Sequence, residues 1–355
     1  MPSPRSCPSQ LARTSNGALL LLALVATAGC GGSSRPPALA TPREPTPVAA
    51  DPHTGPPADR LWIDMRNVDL HIDSTHALGI RRLRGEAVPT HEGQPAVLDD
   101  ETSFKVRVTS GTVALTGEAL SALLNERVFG YKGSPLRDLE VRTSGTQLVQ
   151  RGIMHKGVDI PFEMTATVSL EPDGRVKLHP TKTRILGVNG EKLLHALGLH
   201  LDKLLDLSGA HGASVKGDDL FLEPTEILPP PAIDARLASI QVEGKELVQT
   251  FVRLPDDSVF DGYARPDSAA QNYIFFRGSK LRFGKLLMSD TDLEIIDANE
   301  RDPFDLYLKE YSKQLIAGKS RTMPNLGLQV LMPDYRTVAT QSRMAVAGQP
   351  HAAAR

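Results

Sequence analysis

The sequence predicts an α+β fold: a long, antiparallel sheet with one face covered, amphipathic helices, and an additional C-terminal β/α segment. Three observations carry this expectation. Phe162-Glu-Met164-Thr-Ala166-Thr-Val168-Ser-Leu170 alternates apolar and polar residues without a break, which puts every apolar side chain on one face of a strand. Asp173-Gly174 then supplies a hairpin turn, and Val176 and Leu178 resume the apolar positions. Two leucine-rich segments open alike, with Thr116-Gly117-Glu118 and Asn189-Gly190-Glu191. Thr or Asn caps the first unpaired N–H groups of a helix, and glutamate suits its positive end.

The chain of 355 residues begins with two arginines, Arg5 and Arg13, and no acid before the apolar run Ala18–Ala26. A basic start, a short apolar stretch and small residues after it mark a secretory signal, and the run is too short to span a bilayer core of about 30 Å. Residues 1–29 are therefore expected to be the signal. Residues 30–60 hold Cys30 and a Pro-rich stretch almost without large apolar residues, which cannot bury enough surface to order itself and reads as a tether. Residues 61–255 form the first part of the folded body, residues 256–335 a C-terminal β/α extension packed on the same body, and residues 336–355 a disordered tail.

Within the body, Leu61, Ile63 and Met65 alternate on odd positions and Val68, Leu70 and Ile72 on even ones. That slip of phase near Asn67 predicts a bulge in a long, bent strand. Phe104, Val106 and Val108 form another stripe, and Val113–Leu124 runs from a strand into the first helix. In the second helix Leu193, Leu194, Leu197, Leu201, Leu204 and Leu205 make one apolar stripe. Further strands are expected at Asp218–Leu222, Leu237–Val242, Tyr273–Phe276, Lys280–Phe283, Asp292–Ile296 and Leu326–Met332, and a third helix at Asp305–Ala317. Tyr273–Met288 is the densest apolar and aromatic stretch, suited to a core or to the lip of a groove.

Chemistry leaves few traces. There is no Gly-x-Ser-x-Gly elbow, phosphate-binding loop or dinucleotide fingerprint, so no catalysis and no cofactor are expected. A formal net charge of −2, with no basic run, excludes a nucleic-acid partner. His195 and His200 stand five apart and do not make a zinc pair. Asp290, Asp292 and Glu294 alternate like the start of a calcium loop, but Ile295 replaces the turn glycine and Arg301 the bidentate glutamate. The stretch reads instead as a strand with Leu293 and Ile295 inward and its carboxylates outward, and no metal is expected.

Thr27-Ala28-Gly29-Cys30 resembles the lipobox of bacterial lipoproteins, with Thr27 in place of the preferred leucine. The resemblance implies that Cys30 becomes the diacylated first residue of the mature chain and anchors it to a membrane. Gly31, where aspartate would favour the inner membrane, points to the outer membrane facing the periplasm. Cys7 leaves with the signal, so no intramolecular disulfide is expected. From Val113 to about Phe251, the order of strand, Thr-Gly-Glu helix, hairpins, Asn-Gly-Glu helix and Asp218–Leu222 resembles LmeA-type and YceB-type envelope proteins. These are similar to the wider tubular lipid-binding (TULIP) superfamily. The resemblance implies a curved sheet wrapped around an amphipathic helix, with acyl chains held in an apolar groove between them. Its candidate lining is Leu120, Leu124, Val128, Phe162, Met164, Val168, Leu194, Leu197, Leu201 and Leu204. Two other readings stay open: a structural or assembly lipoprotein with a solid core and an unidentified protein partner, and an envelope hydrolase using carboxylates such as Glu163 or Asp219 with a nearby histidine.

Overall fold

Strands dominate the chain. The first are β1 (Leu61–His71), β2 (Ala77–Pro89), β3 (Ala96–Val97) and β4 (Phe104–Thr116). A second group is β5 (Leu136–Ser144), β6 (Gln147–His155), β7 (Asp159–Leu170), β8 (Val176–Ile185), β9 (Ala213–Lys216) and β10 (Asp219–Leu222). Then come β11 (Ala232–Asp234), β12 (Leu237–Glu243), β13 (Glu246–Phe251), β14 (Tyr273–Gly278), β15 (Leu281–Phe283) and β16 (Leu286–Met288). The last are β17 (Thr291–Asp297), β18 (Phe304–Tyr307), β19 (Lys319–Thr322) and β20 (Leu328–Met332). The structure is a computed structural model that describes residues 59–185 and 200–340. The expectations for residues 1–58 (Cys30 and the tether among them), for Leu194 and Leu197, and for the tail past Thr340 lie outside the described residues.

An eleven-stranded sheet runs β12-β13-β4-β2-β1-β14-β17-β20-β19, with β11 beside β4 and β18 beside β1. It is largely antiparallel, but β18, β20 and β11 join their neighbours in parallel. A six-stranded antiparallel sheet runs β5-β6-β7-β8-β10-β9, and a small third sheet runs β16-β15-β3. Strands from the first and last thirds of the chain share the large sheet, because β1 lies between β2 and β14. One apolar cluster continues through both large sheets, from Leu61 and Leu293 to Met164 and Leu220.

The slip of phase in β1 has a specific cause. Asn67 adopts a φ of 51°, the left-handed region that asparagine tolerates better than most residues. There β1 changes partner on one edge: Leu61–Arg66 pair with β14, and Val68–His71 pair with β18. The Asn67 amide donates to the Asn272 side-chain oxygen at 2.6 Å, fixing the junction. Against β2 the register passes Asn67 unshifted; the irregularity falls one strand further on, between Ile80 and Arg82 against β4. Core positions in β2 change phase at the same place, from Leu78 and Ile80 to Leu83 and Ala87. The bend is thus shared by neighbouring strands, which is how bulges coil a sheet.

Helices are short. Thr116 caps α1 (Gly117–Ala122), its hydroxyl accepting from the Ala119 amide at 3.2 Å, and the helix widens into a π-helical turn through Val128. Gly117 is required by close approach, since a Cβ there would collide with the Val141 carbonyl oxygen. The stripe expected to run as one helix to Leu205 is interrupted at His200, which is extended (φ −78°, ψ 157°); after it Leu201–Leu204 form a turn, α2, while the expected Asn189-Gly190-Glu191 start and Leu193 lie outside the described residues. Further on, α3 spans Pro224–Ile227 and α4 spans Tyr311–Ala317.

The helix expected over Asp305–Ala317 begins instead at Tyr311. The residues before it form β18, because Phe304 and Leu306 alternate into the core beside the end of β1. The carboxylates expected outward on Asp292–Asp297 are also corrected. Glu294 points away from Leu293 and Ile295 as alternation requires, yet it is buried, and so is Asp297 at the end of the strand. Arg265 and Asp267, on the segment linking β13 to β14, reach across that face: Arg265 donates to Glu294 at 2.8 Å, as do the Asp267 amide at 3.1 Å and Gln329 at 2.8 Å.

Candidate functional site

The six-stranded sheet turns one face inward. Phe162, Met164 and Ala166 of β7, Leu148 and Met154 of β6, and Leu178 and Leu220 of β8 and β10 project to that side. The opposite face carries exposed polar pairs such as Arg151–Glu163 at 2.6 Å and Lys177–Glu171 at 2.6 Å. This one-sided burial is what alternating strands produce when only one face is covered.

Over the inner face lies a cavity of about 400 Å³. Its floor is Leu136, Gln150, Met154, Phe162, Met164 and Leu220, apolar but for the buried Gln150, and one wall is Leu201, Leu204 and Leu205 from α2 and the residue after it. The volume falls within the roughly 300–1,000 Å³ typical of small-molecule sites. The opening follows the pairing of β8. That strand is hydrogen-bonded to β10 only over Val176–Leu178, while its pairing with β7 continues to Ile185. Its remaining residues, His179–Thr183 and Ile185, therefore border the cavity instead of a neighbouring strand.

The rim is polar and braced. Asp218 accepts from the Leu201 amide at 2.9 Å and lies 3.1 Å from His200 Nδ1; these bonds hold its carboxyl below the usual carboxylate range. Asp219 lies 2.6 Å from His179 Nδ1. Asp202 and Gly217 bond reciprocally, at 2.9 and 3.1 Å, and tie α2 to the β9–β10 turn. A largely apolar floor under a polar mouth suits a molecule with an apolar body and a polar end.

A second cavity, of about 100 Å³, lies on the apolar face of the large sheet. Residues from both phases of β1 line it (Ile63, Met65, Leu70, Ile72), with Phe276 of β14 and Phe283 of β15. It is below the size of ordinary ligand sites and lined by apolar side chains alone, as a dry packing void is.

Of the residues expected to line a groove, Phe162, Met164, Leu201 and Leu204 border the larger cavity together. Leu120, Leu124 and Val128 are buried in the core, and Val168 packs against it half-buried; none of the four borders either cavity. Leu136 and Met154 belong to the site without having been expected there. Their alternation in β5 and β6 marks them as inward, but only the fold brings them under α2. Glu163 and Asp219 are far apart: His179, which bonds Asp219, lies opposite Thr167, four residues along β7 from Glu163. That is about 13 Å of strand, beyond the roughly 5–9.5 Å that separates the paired carboxylates of glycosidases.

Comparison with protein-family models, with curated proteins and with solved structures finds no match to this chain.

Proposed function

We propose that this protein is a non-catalytic, membrane-anchored envelope lipoprotein that binds a lipid or another apolar ligand between its six-stranded sheet and the helix beside it. The anchor is acylated Cys30 and the destination the outer membrane, facing the periplasm. On this reading the sheet cradles its helix in the manner of the TULIP-like proteins that the sequence resembles. The cavity of about 400 Å³ carries the proposal, since its floor and one wall are largely apolar, with Gln150 a buried polar side chain on the floor and further polar residues at the mouth. Each methylene transferred from water into such a space contributes about 0.8 kcal/mol, so binding needs no reactive group.

The test is native mass spectrometry of the chain beginning at Asp51, which retains the compact body. Lipid is expected to co-purify, and a fluorescent fatty acid to be taken up; Leu204→Trp, which fills the cavity, lowers uptake at least tenfold and leaves the unfolding midpoint nearly unchanged. Purely unliganded protein together with no uptake would sink the proposal. A structural role is the second reading, favoured by one observation: Leu120, Leu124 and Val128 sit in solid packing around α1. In-cell crosslinking that captures one defined protein partner, with no lipid bound, supports it.

A further inference from the structure

The stretch Tyr273–Met288 divides sharply in the fold. Tyr273–Phe276 are buried within β14, and Leu281 and Phe283 are buried in β15. The Phe283 ring stacks on Tyr311 at 5.0 Å, and the Tyr311 hydroxyl accepts from the Gly284 amide at 2.8 Å, so the hairpin of β15 and β16 is held firmly at its base. Beyond Gly284 the character reverses. Leu286 and Leu287, on the outer strand β16, are 45% and 49% exposed, two large apolar side chains in succession facing solvent. Around them Lys280, Arg282 and Lys285 are exposed, and none makes an ion pair among the described residues. Several neighbouring acids are engaged elsewhere, Asp99 with Tyr311, Asp100 with Thr102 and Glu101 with Lys309, leaving Asp290 beside the hairpin and Glu92, next to the Gly93 carbonyl that accepts from Lys280, as exposed carboxylates.

The position of the hairpin matters as much as its composition. Leu61, the first residue of β1, pairs with Gly278, and the Arg60 carbonyl accepts from the Ser279 amide at 2.8 Å. The chain therefore enters the folded body beside the residue that leads into the hairpin. A membrane anchor carried by the preceding residues would leave this hairpin within reach of the bilayer.

We propose that the β15–β16 hairpin is a bilayer-contact element. Leu286 and Leu287 enter the interface while Lys280, Arg282 and Lys285 lie against anionic headgroups. Apolar side chains flanked by cations are the composition that binds such surfaces, each cation near the surface strengthening binding about fivefold. The proposal rests on the anchored-lipoprotein reading only for how the body reaches a membrane, and it is independent of the cavity.

The experiment is co-sedimentation of the chain beginning at Asp51 with vesicles of phosphatidylcholine alone, or mixed with phosphatidylglycerol. Binding to the mixed vesicles is expected, weak on the neutral ones and reduced by added salt. The double variant L286S/L287S loses at least about tenfold in affinity, and K280E/R282E/K285E loses the preference for anionic lipid. All five side chains are exposed, so unchanged unfolding midpoints confirm that the variants fold. A chain starting at Asp51 contains no cysteine. An environment-sensitive label on Ser289→Cys should thus shift to the blue on mixed vesicles, whereas the same label on Ser144→Cys should not. Equal binding to both vesicle types, no binding at all, or wild-type affinity in both variants overturns the proposal. Acylation of Cys30, read from the intact mass of the protein made in cells, is measured separately, so the two readings fail independently.

Discussion

The two large sheets begin from the same sequence pattern and end in different situations. Strands of both alternate apolar and polar residues. In the eleven-stranded sheet β15 and α4 pack on the apolar side, and the segment between β13 and β14 covers part of the other, around Asp64 and Glu294. Its outward carboxylates Asp64 and Glu294 are buried and pair with Arg84 at 3.6 Å and Arg265 at 2.8 Å. In the six-stranded sheet the polar face stays in solvent, and the apolar face is left with a cavity where β8 outruns β10. Burial of the second face converts surface charges into obligatory pairs; a stretch of the first face that the described residues leave open holds a cavity.

The comparison is broken most severely at Glu294. Glu294→Ala leaves Arg265 buried without its partner and should cost about 3–5 kcal/mol in denaturant unfolding. Phe304→Ala, at a fully buried position in β18, should also cost about 3–5 kcal/mol, whereas Phe162→Ala beside the existing cavity should cost less. Equal losses at the two phenylalanines would show that the six-stranded sheet is packed as tightly as the large one.

Asp297 sharpens the comparison through pH. Burial pushes its carboxyl up to about 6, against the hydrogen bonds donated by the Asn272 side chain and the Asn299 amide. Because the folded form holds this proton more tightly than the unfolded form, its contribution is present at acidic pH and is lost as pH rises from near 4 through about 6. Asp297→Asn should accordingly stabilise the protein by up to about 2 kcal/mol at pH 7 and by almost nothing at pH 4. A pH-independent difference in unfolding midpoint counts against this assignment. The smallest effect belongs to the exposed face: Arg151→Ala should change stability by less than about 1 kcal/mol, since its pair with Glu163 is on the solvent side.

Much of this was legible in the residues themselves. The stripe Phe162–Leu170 and the Asp173-Gly174 turn became β7, β8 and their hairpin, and Thr116 caps the helix it was expected to cap. These signals are local: alternation, turn chemistry and capping act over a few residues. The errors arose where a distant partner decided the outcome. Asp305–Tyr307 has residues compatible with a helix, but the end of β1 claims it as a strand. Glu294 belongs on a solvent face by alternation, but Arg265, 29 residues earlier, covers it. The leucine stripe breaks at His200, where Asp218 accepts from the amide of Leu201, 17 residues earlier, and starts a new turn.

By itself, then, the sequence determined which face of each alternating strand is apolar, where α1 begins, and that the chain is sheet-rich. Those properties follow from side-chain period and backbone preference, which need no other part of the molecule. Only the tertiary structure decided that part of the second face of the large sheet is buried, that Leu286 and Leu287 are exposed beside the chain's entry at Arg60, and that Phe162 and Met164 border a space with Leu201 and Leu204. Each of these depends on which segment, far away along the chain, arrives to cover a surface or does not.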